Sequence, residues 1–262
     1  MNQQERCLWL IKALLKEMPQ YRDTPIPALQ EDRWRLLRSL MNVRPPMPVS
    51  EDFLQIQDAF LKQMTAEKGT AAANELPASQ LDERLVLWQG DITTLKCDAI
   101  VNAANSQMLG CFSPCHGCID NIIHTMAGVQ LRLACHELMQ KQGYEEPTGQ
   151  AKITPGFNLP AKYVLHTVGP IVDGPLTREH EQLLASCYRS CFRLAEEKGC
   201  ESIAFCCIST GVFGFPQDRA AKIAVETVRT YRATNHSSIE VIFNVFQNRD
   251  HELYRDLLGQ HQ

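Results

Sequence analysis

From about residue 84 onward, apolar runs of strand length alternate with longer stretches of helical periodicity, and this alternation restricts the fold more than any other feature. The strand-like runs are Arg84–Gln89, Cys97–Ala103, Tyr163–Val168, Ser202–Ser209 and Ile239–Phe246. The helical stretches cover about residues 120–141, 179–198, 217–233 and 249–258. Because parallel strands need a crossover connection, usually a helix, the pattern predicts an α/β fold with a mostly parallel sheet covered on both faces.

The first 80 residues follow a different pattern and are expected to form a small helical extension. Apolar residues recur at helical spacing near Leu8 and again near Leu37, and proline-containing segments separate these stretches. A third helix is expected from Ser50, as its N-cap, to about Lys68. The small and polar segment 69–79 has the composition of a linker. We therefore expect two units, 1–80 and 81–262.

Charge and cysteine content exclude several classes of protein. The net charge of -4 provides no overall positive field for nucleic acid. The sequence has no apolar run of about 18 residues, so no membrane span is expected. The 11 cysteines are odd in number and dispersed, which argues against a disulfide framework and favours a reducing compartment, the cytoplasm.

A glycine-containing loop is expected between a buried strand and the helix that begins near Gln217. It runs Ser209-Thr210-Gly211-Val212-Phe213-Gly214. Glycine lets backbone N–H groups turn toward a ligand, and the start of the next helix adds positive potential, so the loop can hold a diphosphate. The spacing matches neither common glycine-rich nucleotide motif. A tight strand-to-helix turn without a ligand is the alternative.

Polar residues also follow the first two strands of this region. Asp91, with Ile92 beside it, follows one strand, and Asn102-Ala-Ala-Asn105 ends the other. The Asp91 carboxylate can accept a hydrogen bond from an exocyclic amine, and the two amides suit a ribose. Taken singly, such residues more often cap turns. Ligands of open α/β sheets bind at the carboxyl ends of strands, which is where these segments are expected.

The stretch from Gly110 to Asn121 has the residue types of a metal site. Cys111, Cys115, His116 and Cys118 lie within eight residues, and thiolates with imidazole are zinc ligands. Four ligands would close a structural site, whereas three would leave a position open for catalysis. Adjacent side chains point apart in extended chain, so we favour three of the four. Unliganded surface cysteines remain the alternative, although they would be prone to oxidation.

Two residues after this stretch have more than one interpretation. Asp120 is a candidate general base, but it is equally a candidate N-cap of the following helix. His124 could support a metal ligand by a hydrogen bond, although a partly buried histidine with its own partners is the more common situation. Phe246, at the end of the last strand, and Asn248 could flank an aromatic base, but Phe246 is equally a candidate core residue.

Together, the Gly90–Thr93, Asn102–Asn105 and Ser209–Pro216 segments resemble the macrodomain family in order and spacing, over about residues 80–258. The family fold is a three-layer α/β/α macrodomain with a mixed, mostly parallel sheet. Where many macrodomain hydrolases have a glycine run, this chain has its cysteine-rich stretch, which resembles the zinc-dependent microbial type. Such proteins also have an N-terminal helical extension. They are often encoded beside a sirtuin-type ADP-ribosyltransferase and a lipoylated carrier protein.

The resemblance implies a hydrolase that removes mono-ADP-ribose from Asp or Glu side chains of modified proteins. It implies one zinc ion held by Cys111, His116 and Cys118, with Cys115 at a variable position. By the same resemblance, Asp91 and Ile92 bind the adenine end, Asn105 with Asn102 binds the distal ribose, and the loop residues Ser209, Thr210, Gly211, Val212 and Phe213 wrap the diphosphate.

The catalytic candidates are Asn105 and Asp120. The residues do not decide whether zinc positions the ribose or activates water. One alternative is a non-catalytic ADP-ribose reader with a structural zinc, and another is a zinc-binding or redox-sensing protein without a nucleotide site. A mono-ADP-ribosylated protein is the expected partner, with neither nucleic acid nor membrane involved.

Overall fold

A computed structural model describes residues 1–259 of the chain. Within these residues the helices are Gln3–Glu17 (α1), Gln30–Val43 (α2), Glu51–Lys68 (α3), Ile119–Ala127 (α4), Val129–Gln142 (α5), Arg178–Glu197 (α6), Gln217–Asn235 (α7) and Asn248–Leu257 (α8). The strands are Ala71–Ala72 (β1), Leu85–Gln89 (β2), Leu95–Lys96 (β3), Ala99–Ala104 (β4), Ala151–Pro155 (β5), Tyr163–Val168 (β6), Ser202–Phe205 (β7) and Glu240–Val245 (β8).

The central sheet has six strands in the order β2-β8-β7-β4-β6-β5. All neighbouring pairs are parallel except β5 with β6, which is antiparallel. Helix α4 packs on β4, α6 on β5 and β6, and α8 on β2 and β8. The strands are buried along most of their length, as expected for a sheet covered on both faces. The predicted α/β fold class is confirmed.

Several details of the main unit differ from the prediction. The strand expected over Ser202–Ser209 ends at Phe205, and β3 was not predicted. The helix expected over about 120–141 is interrupted at Gly128, where φ is 97°, and divides into α4 and α5. The positive φ favours glycine, and a Cβ at this position would also lie 2.6 Å from Gln57 Nε2 of α3, so the end of that side chain would have to move. Strand β5 was not predicted, because it is a short edge strand with a weak apolar pattern and ends at Pro155.

The N-terminal helices have a hydrophobic core of their own. Leu10, Ile11, Leu14, Leu37 and Leu61 are almost wholly inaccessible within it. The predicted N-cap of α3 is confirmed, because the Ser50 hydroxyl accepts a hydrogen bond from the Phe53 N–H at 3.2 Å. Among the described residues, none of the helices combines the length and apolar character that a bilayer crossing requires.

The segment 69–79 is not the linker that its composition suggested. Strand β1 lies within it and pairs in parallel with β3, placing Ala71 opposite Leu95. Ser79 then donates its N–H to the Leu85 carbonyl at 2.7 Å. Backbone pairing and the burial of Ala73 in the main hydrophobic core together hold this segment against the rest of the protein. The division into 1–80 and 81–262 stays a prediction, and residues 260–262 of the second unit lie outside the described part of the chain.

Candidate functional site

The chemically distinctive segments follow three parallel strands of the sheet, each at the carboxyl end of its strand. Asp91 comes after β2, Ser209 comes after β7, and Asn105 comes after β4. The strands β2, β8, β7 and β4 are parallel and adjacent in this order, so their carboxyl ends lie on the same side of the sheet. With neighbouring strands about 4.8 Å apart, β2 and β4 are separated by about 14 Å. The segments therefore form a row with Asp91 at one end and Asn105 at the other.

At the β2 end of the row, the Asp91 carboxylate is held by two neighbours. Its Oδ1 accepts hydrogen bonds from the Thr93 N–H at 3.0 Å and the Thr93 hydroxyl at 2.6 Å. Its Oδ2 lies 3.2 Å from Lys68 Nζ at the end of α3. Burial raises the pKa of Asp91, but the Thr93 and Lys68 contacts outweigh burial and leave the pKa below its usual value. The carboxylate is thus a charged acceptor. Ile92 is buried in the turn that follows.

Asn102 and Asn105 occupy different environments. Asn102 is fully buried, and its Nδ2 lies 2.8 Å from Asp120 Oδ1 and 3.1 Å from His166 Nδ1. This burial favours a supporting role over the direct ribose contact expected from the sequence. Asn105 is half-buried at the strand end, where its Nδ2 lies 3.2 Å from the Gly110 carbonyl and 3.4 Å from Asp120 Oδ2. Asn105 is therefore the one of the pair that borders the open edge.

Asp120 lies in the first turn of α4, just after the metal-ligand loop, which we define as residues 111–118. Helix α4 begins at Ile119 with Cys118 as its N-cap, so the prediction that Asp120 could be the N-cap is wrong. Its carboxylate is instead directed inward, toward the amides of Asn102 and Asn105. Burial raises the pKa of Asp120 to about 6, although the Asn102 hydrogen bond opposes the rise. Its role as a general base stays a prediction.

Three side chains of the metal-ligand loop converge. The ligand atoms of Cys111, His116 and Cys118 all lie within 4.8 Å of one another, and Cys111 Sγ is 3.7 Å from His116 Nδ1. Tetrahedral zinc with ordinary bond lengths separates a sulfur and a nitrogen ligand by about 3.6 Å, so these donors fit zinc. Burial raises the pKa of the Cys118 thiol, and the neighbouring Cys111 adds to the rise. A divalent cation would reverse this by binding the thiolates.

Cys115 is directed away from the three converging ligands. Its Sγ lies 3.3 Å from Ser39 Oγ and donates to the Arg35 carbonyl at 3.4 Å, both on α2. Its backbone has a φ of 52°, in the left-handed region. Adjacent His116 is directed to the ligand cluster, so the choice of three ligands agrees with the structure, but the reason is this left-handed turn and not the extended chain expected from the sequence. The structure leaves three donors rather than four at the candidate metal position.

A second histidine–cysteine group lies deeper in the protein. His124, Cys135 and His166 also place ligand atoms within 4.8 Å of one another. His166 Nδ1 faces the Asn102 amide N–H and must accept from it, so the Nε2 proton is donated to Thr154 Oγ1 at 2.9 Å. Both His166 nitrogens are then occupied. His124 is buried, and its Nε2 lies 3.5 Å from Asp120 Oδ1. Among the described residues neither ring nitrogen makes a hydrogen bond, so the expectation of a fully satisfied ring is wrong.

The glycine-containing loop lies between β7 and α7. Ser209 is buried with a positive φ of 64°, and Thr210 Oγ1 donates to the Cys207 carbonyl at 3.0 Å. Gly211 and Val212 are exposed. The Phe213 carbonyl accepts from the Val172 N–H at 2.8 Å, which fixes the loop against the segment after β6. The backbone between these anchors remains open to a ligand.

Sequence reasoning missed two groups near the site. Residues 169–172 contact the glycine-containing loop, and a Cβ on Gly169 would clash with Ser209 Oγ. The Gly-Pro pair after a predicted strand was an available signal for this segment. Residues of α2 contact the metal-ligand loop through Arg38 and Asn42. No signal in the sequence indicated Asn42, because helical spacing places it with Arg35, Arg38 and Ser39 on the polar face of α2, although the structure buries it.

Comparison with known proteins shows the family of the chain. The sequence pattern that defines the Macro domain matches residues 101–224. A protein of Treponema medium named protein-ADP-ribose hydrolase is 56% identical over 261 residues, covering 99% of this chain and 100% of that protein. The chain belongs to the macro domain family. A second protein with the same name, from Staphylococcus aureus strain MRSA252, is 49% identical over 256 residues, 97% of this chain and 96% of that protein.

A solved macro domain extends the comparison to three dimensions. The structure titled as the Trypanosoma brucei macrodomain in complex with ADP-ribose aligns with a TM-score of 0.64 and 30% identity. The alignment covers 85% of this chain and 95% of the Trypanosoma brucei chain. The match extends beyond the six-stranded unit, because 85% of this chain is more than residues 81–262 supply.

Proposed function

We propose that this macro domain protein is a zinc-dependent hydrolase that removes mono-ADP-ribose from acidic side chains of modified proteins. The observation that carries the proposal is the convergence of Cys111, His116 and Cys118 directly after Asn105, at the carboxyl edge of the sheet. Two relatives that match nearly the whole chain are named protein-ADP-ribose hydrolase, which supports the same reaction.

The row of segments has the order needed for ADP-ribose. The charged Asp91 carboxylate at the β2 end accepts the adenine amine, and residues 209–213 after β7 offer backbone N–H groups to the diphosphate. Asn105 after β4 then meets the distal ribose beside the metal-ligand loop. The strand spacing of about 14 Å between the two ends agrees with an extended nucleotide sugar. Binding at the remote adenine and phosphates would orient the scissile bond.

The metal ligands, Asn105 and Asp120 have different roles at the ribose end. When bound by Cys111, His116 and Cys118, zinc supplies Lewis-acid polarisation of a ribose hydroxyl or a lowered pKa for water. The Asn105 amide orients the ribose. Asp120 holds that amide through Oδ2 at 3.4 Å and keeps it aimed at the site. The raised pKa of Asp120, about 6, also suits a group that takes up a proton near neutral pH.

The decisive experiment measures release of ADP-ribose from a protein mono-ADP-ribosylated on Glu or Asp. Zinc-loaded wild type is compared with His116→Ala and Cys118→Ala, which are expected to lose release. Cys115→Ser is the matched control, because that thiol faces α2 rather than the ligand cluster. A lipoylated carrier protein modified by a sirtuin-type transferase is the substrate to test first. Wild-type rates in both ligand variants would rule out a catalytic metal.

Removing the metal separates the hydrolase from an ADP-ribose reader with a structural zinc. For a catalytic metal, chelation should stop turnover while ADP-ribose binding and the circular dichroism spectrum are largely retained. For a reader, no turnover occurs before chelation, and stability and ADP-ribose affinity fall together afterwards. Calorimetry with free ADP-ribose provides the binding measurement in both cases.

A further inference from the structure

Helix α2 of the N-terminal unit is in direct contact with the metal-ligand loop. Arg38 donates from Nη2 to the His116 carbonyl at 2.7 Å and to Asn121 Oδ1 at 2.8 Å. Asn121 in turn donates from Nδ2 to the carbonyls of Cys111 at 3.3 Å and Ser113 at 2.9 Å. Arg38 thus links the backbone of His116 to the Asn121 amide, which holds the start of the loop. Arg38 is about 80 positions from both residues in sequence.

A second contact from α2 fixes the residue before His116. Asn42 is 1% exposed, and its Oδ1 accepts the Cys115 N–H at 2.9 Å. Its Nδ2 donates to Thr125 Oγ1 at 3.0 Å, which holds the amide against α4. Cys115 has a φ of 52°, a conformation that is unfavourable for a residue with a side chain. The buried Asn42 hydrogen bond stabilises it there.

The left-handed turn at Cys115 decides which side chains converge. It directs the Cys115 thiol onto α2, against Ser39 Oγ and the Arg35 carbonyl. His116, the next residue, is directed to the opposite side, within 3.7 Å of Cys111 Sγ. Without this turn, nothing would fix which of the two adjacent side chains contacts α2 and which joins the ligand cluster. The contacts on α2 therefore bear on the geometry of the metal ligands.

We propose that α2 is a working part of the metal site, with Arg38 and Asn42 as positioning residues that hold His116 in its ligand orientation. Both act through the backbone of the metal-ligand loop. The inference rests on the ligand set of the proposed function, but it concerns metal affinity rather than turnover. It gives the N-terminal extension a role beyond packing, because its second helix selects three donors from four candidates.

The test measures zinc affinity by competition with a chromogenic chelator. We expect Arg38→Ala and Asn42→Ala to bind zinc about 10- to 100-fold more weakly than wild type, as outer-shell substitutions commonly do. Arg35→Ala is the matched control, since it lies on the same helix, its side chain is exposed, and only its carbonyl contacts the loop. Arg38→Lys keeps a donor and should recover part of the loss.

The possible outcomes are separable. If Arg38→Ala binds zinc as tightly as Arg35→Ala, the inference is overturned, whatever Asn42→Ala does. Unfolding curves of the metal-free proteins check the fold, and a variant that unfolds with wild-type stability yet binds zinc weakly supports positioning. Turnover restored to the wild-type kcat at saturating zinc supports it further. Zinc binding by wild type without hydrolysis would end the proposed function alone, whereas no zinc binding by wild type would end both.

Discussion

Arg132 joins the N-terminal unit to the macro domain, and replacing it gives the sharpest stability prediction. It lies on α5 and is 5% exposed. Its Nη1 donates to the carbonyls of Met41, Asn42 and Arg44, and its Nε donates to the Leu109 carbonyl at 2.6 Å. The first three carbonyls belong to the C-terminal end of α2, where a helix leaves carbonyls without partners. A cation at this end also interacts favourably with the negative end of the helix dipole.

The size of the effect follows from these contacts. Arg132→Met keeps the apolar stem of the side chain but leaves four buried carbonyls without their donor. An unsatisfied buried acceptor costs about 1–3 kcal/mol. The adjacent cavity of about 10 Å³, lined by Met41, Asn42 and Arg44, lets a water molecule replace part of the guanidinium, so the low end applies. We expect a loss of about 4 kcal/mol, a large share of a domain stability of about 5–15 kcal/mol.

Urea unfolding, followed by circular dichroism, measures this loss in the free energy of unfolding. With a slope of about 3 kcal/mol per molar urea, the midpoint should fall by about 1.3 M. Arg132→Lys retains a cation but lacks the planar fork, so its midpoint should lie between the two. Arg35→Ala, an exposed arginine on α2, should leave the midpoint unchanged. A loss below about 1 kcal/mol for Arg132→Met would refute the reasoning.

Three further predictions concern single residues. Gly110→Ala should lower the free energy of unfolding by at least about 2 kcal/mol in urea titration, because φ is +79° and the new Cβ would lie 2.8 Å from His124 Cγ; an unchanged midpoint would contradict it. Glu17→Ala should cost about 3 kcal/mol by thermal unfolding, since it leaves the buried Arg44 guanidinium without its carboxylate at 2.7 Å. Asp91→Asn should weaken ADP-ribose binding by at least about 10-fold in calorimetry, because a charged acceptor is lost; equal affinity would remove Asp91 from the site.

Much of the fold followed from local pattern. The α/β alternation predicted five of the strands and their alternation with helices along the chain, and Tyr163–Val168 was placed with its observed limits. Local pattern did not reveal the break at Gly128 or strand β5, because both depend on neighbours: the approach of α3 in one case and the edge of the sheet in the other. Periodicity records which face of an element is buried, but not what buries it.

The candidate site shows the same division. The sequence by itself determined the residue types and their place after the strands, including the three donors Cys111, His116 and Cys118, because turns and ligand spacing are local properties. Only the tertiary structure decided that Asn102 is buried against His166, and that Cys115 contacts α2 instead of joining the ligand cluster. These outcomes depend on side chains about 60 to 80 residues apart meeting in a packed interior, and spacing along one chain carries no record of such contacts.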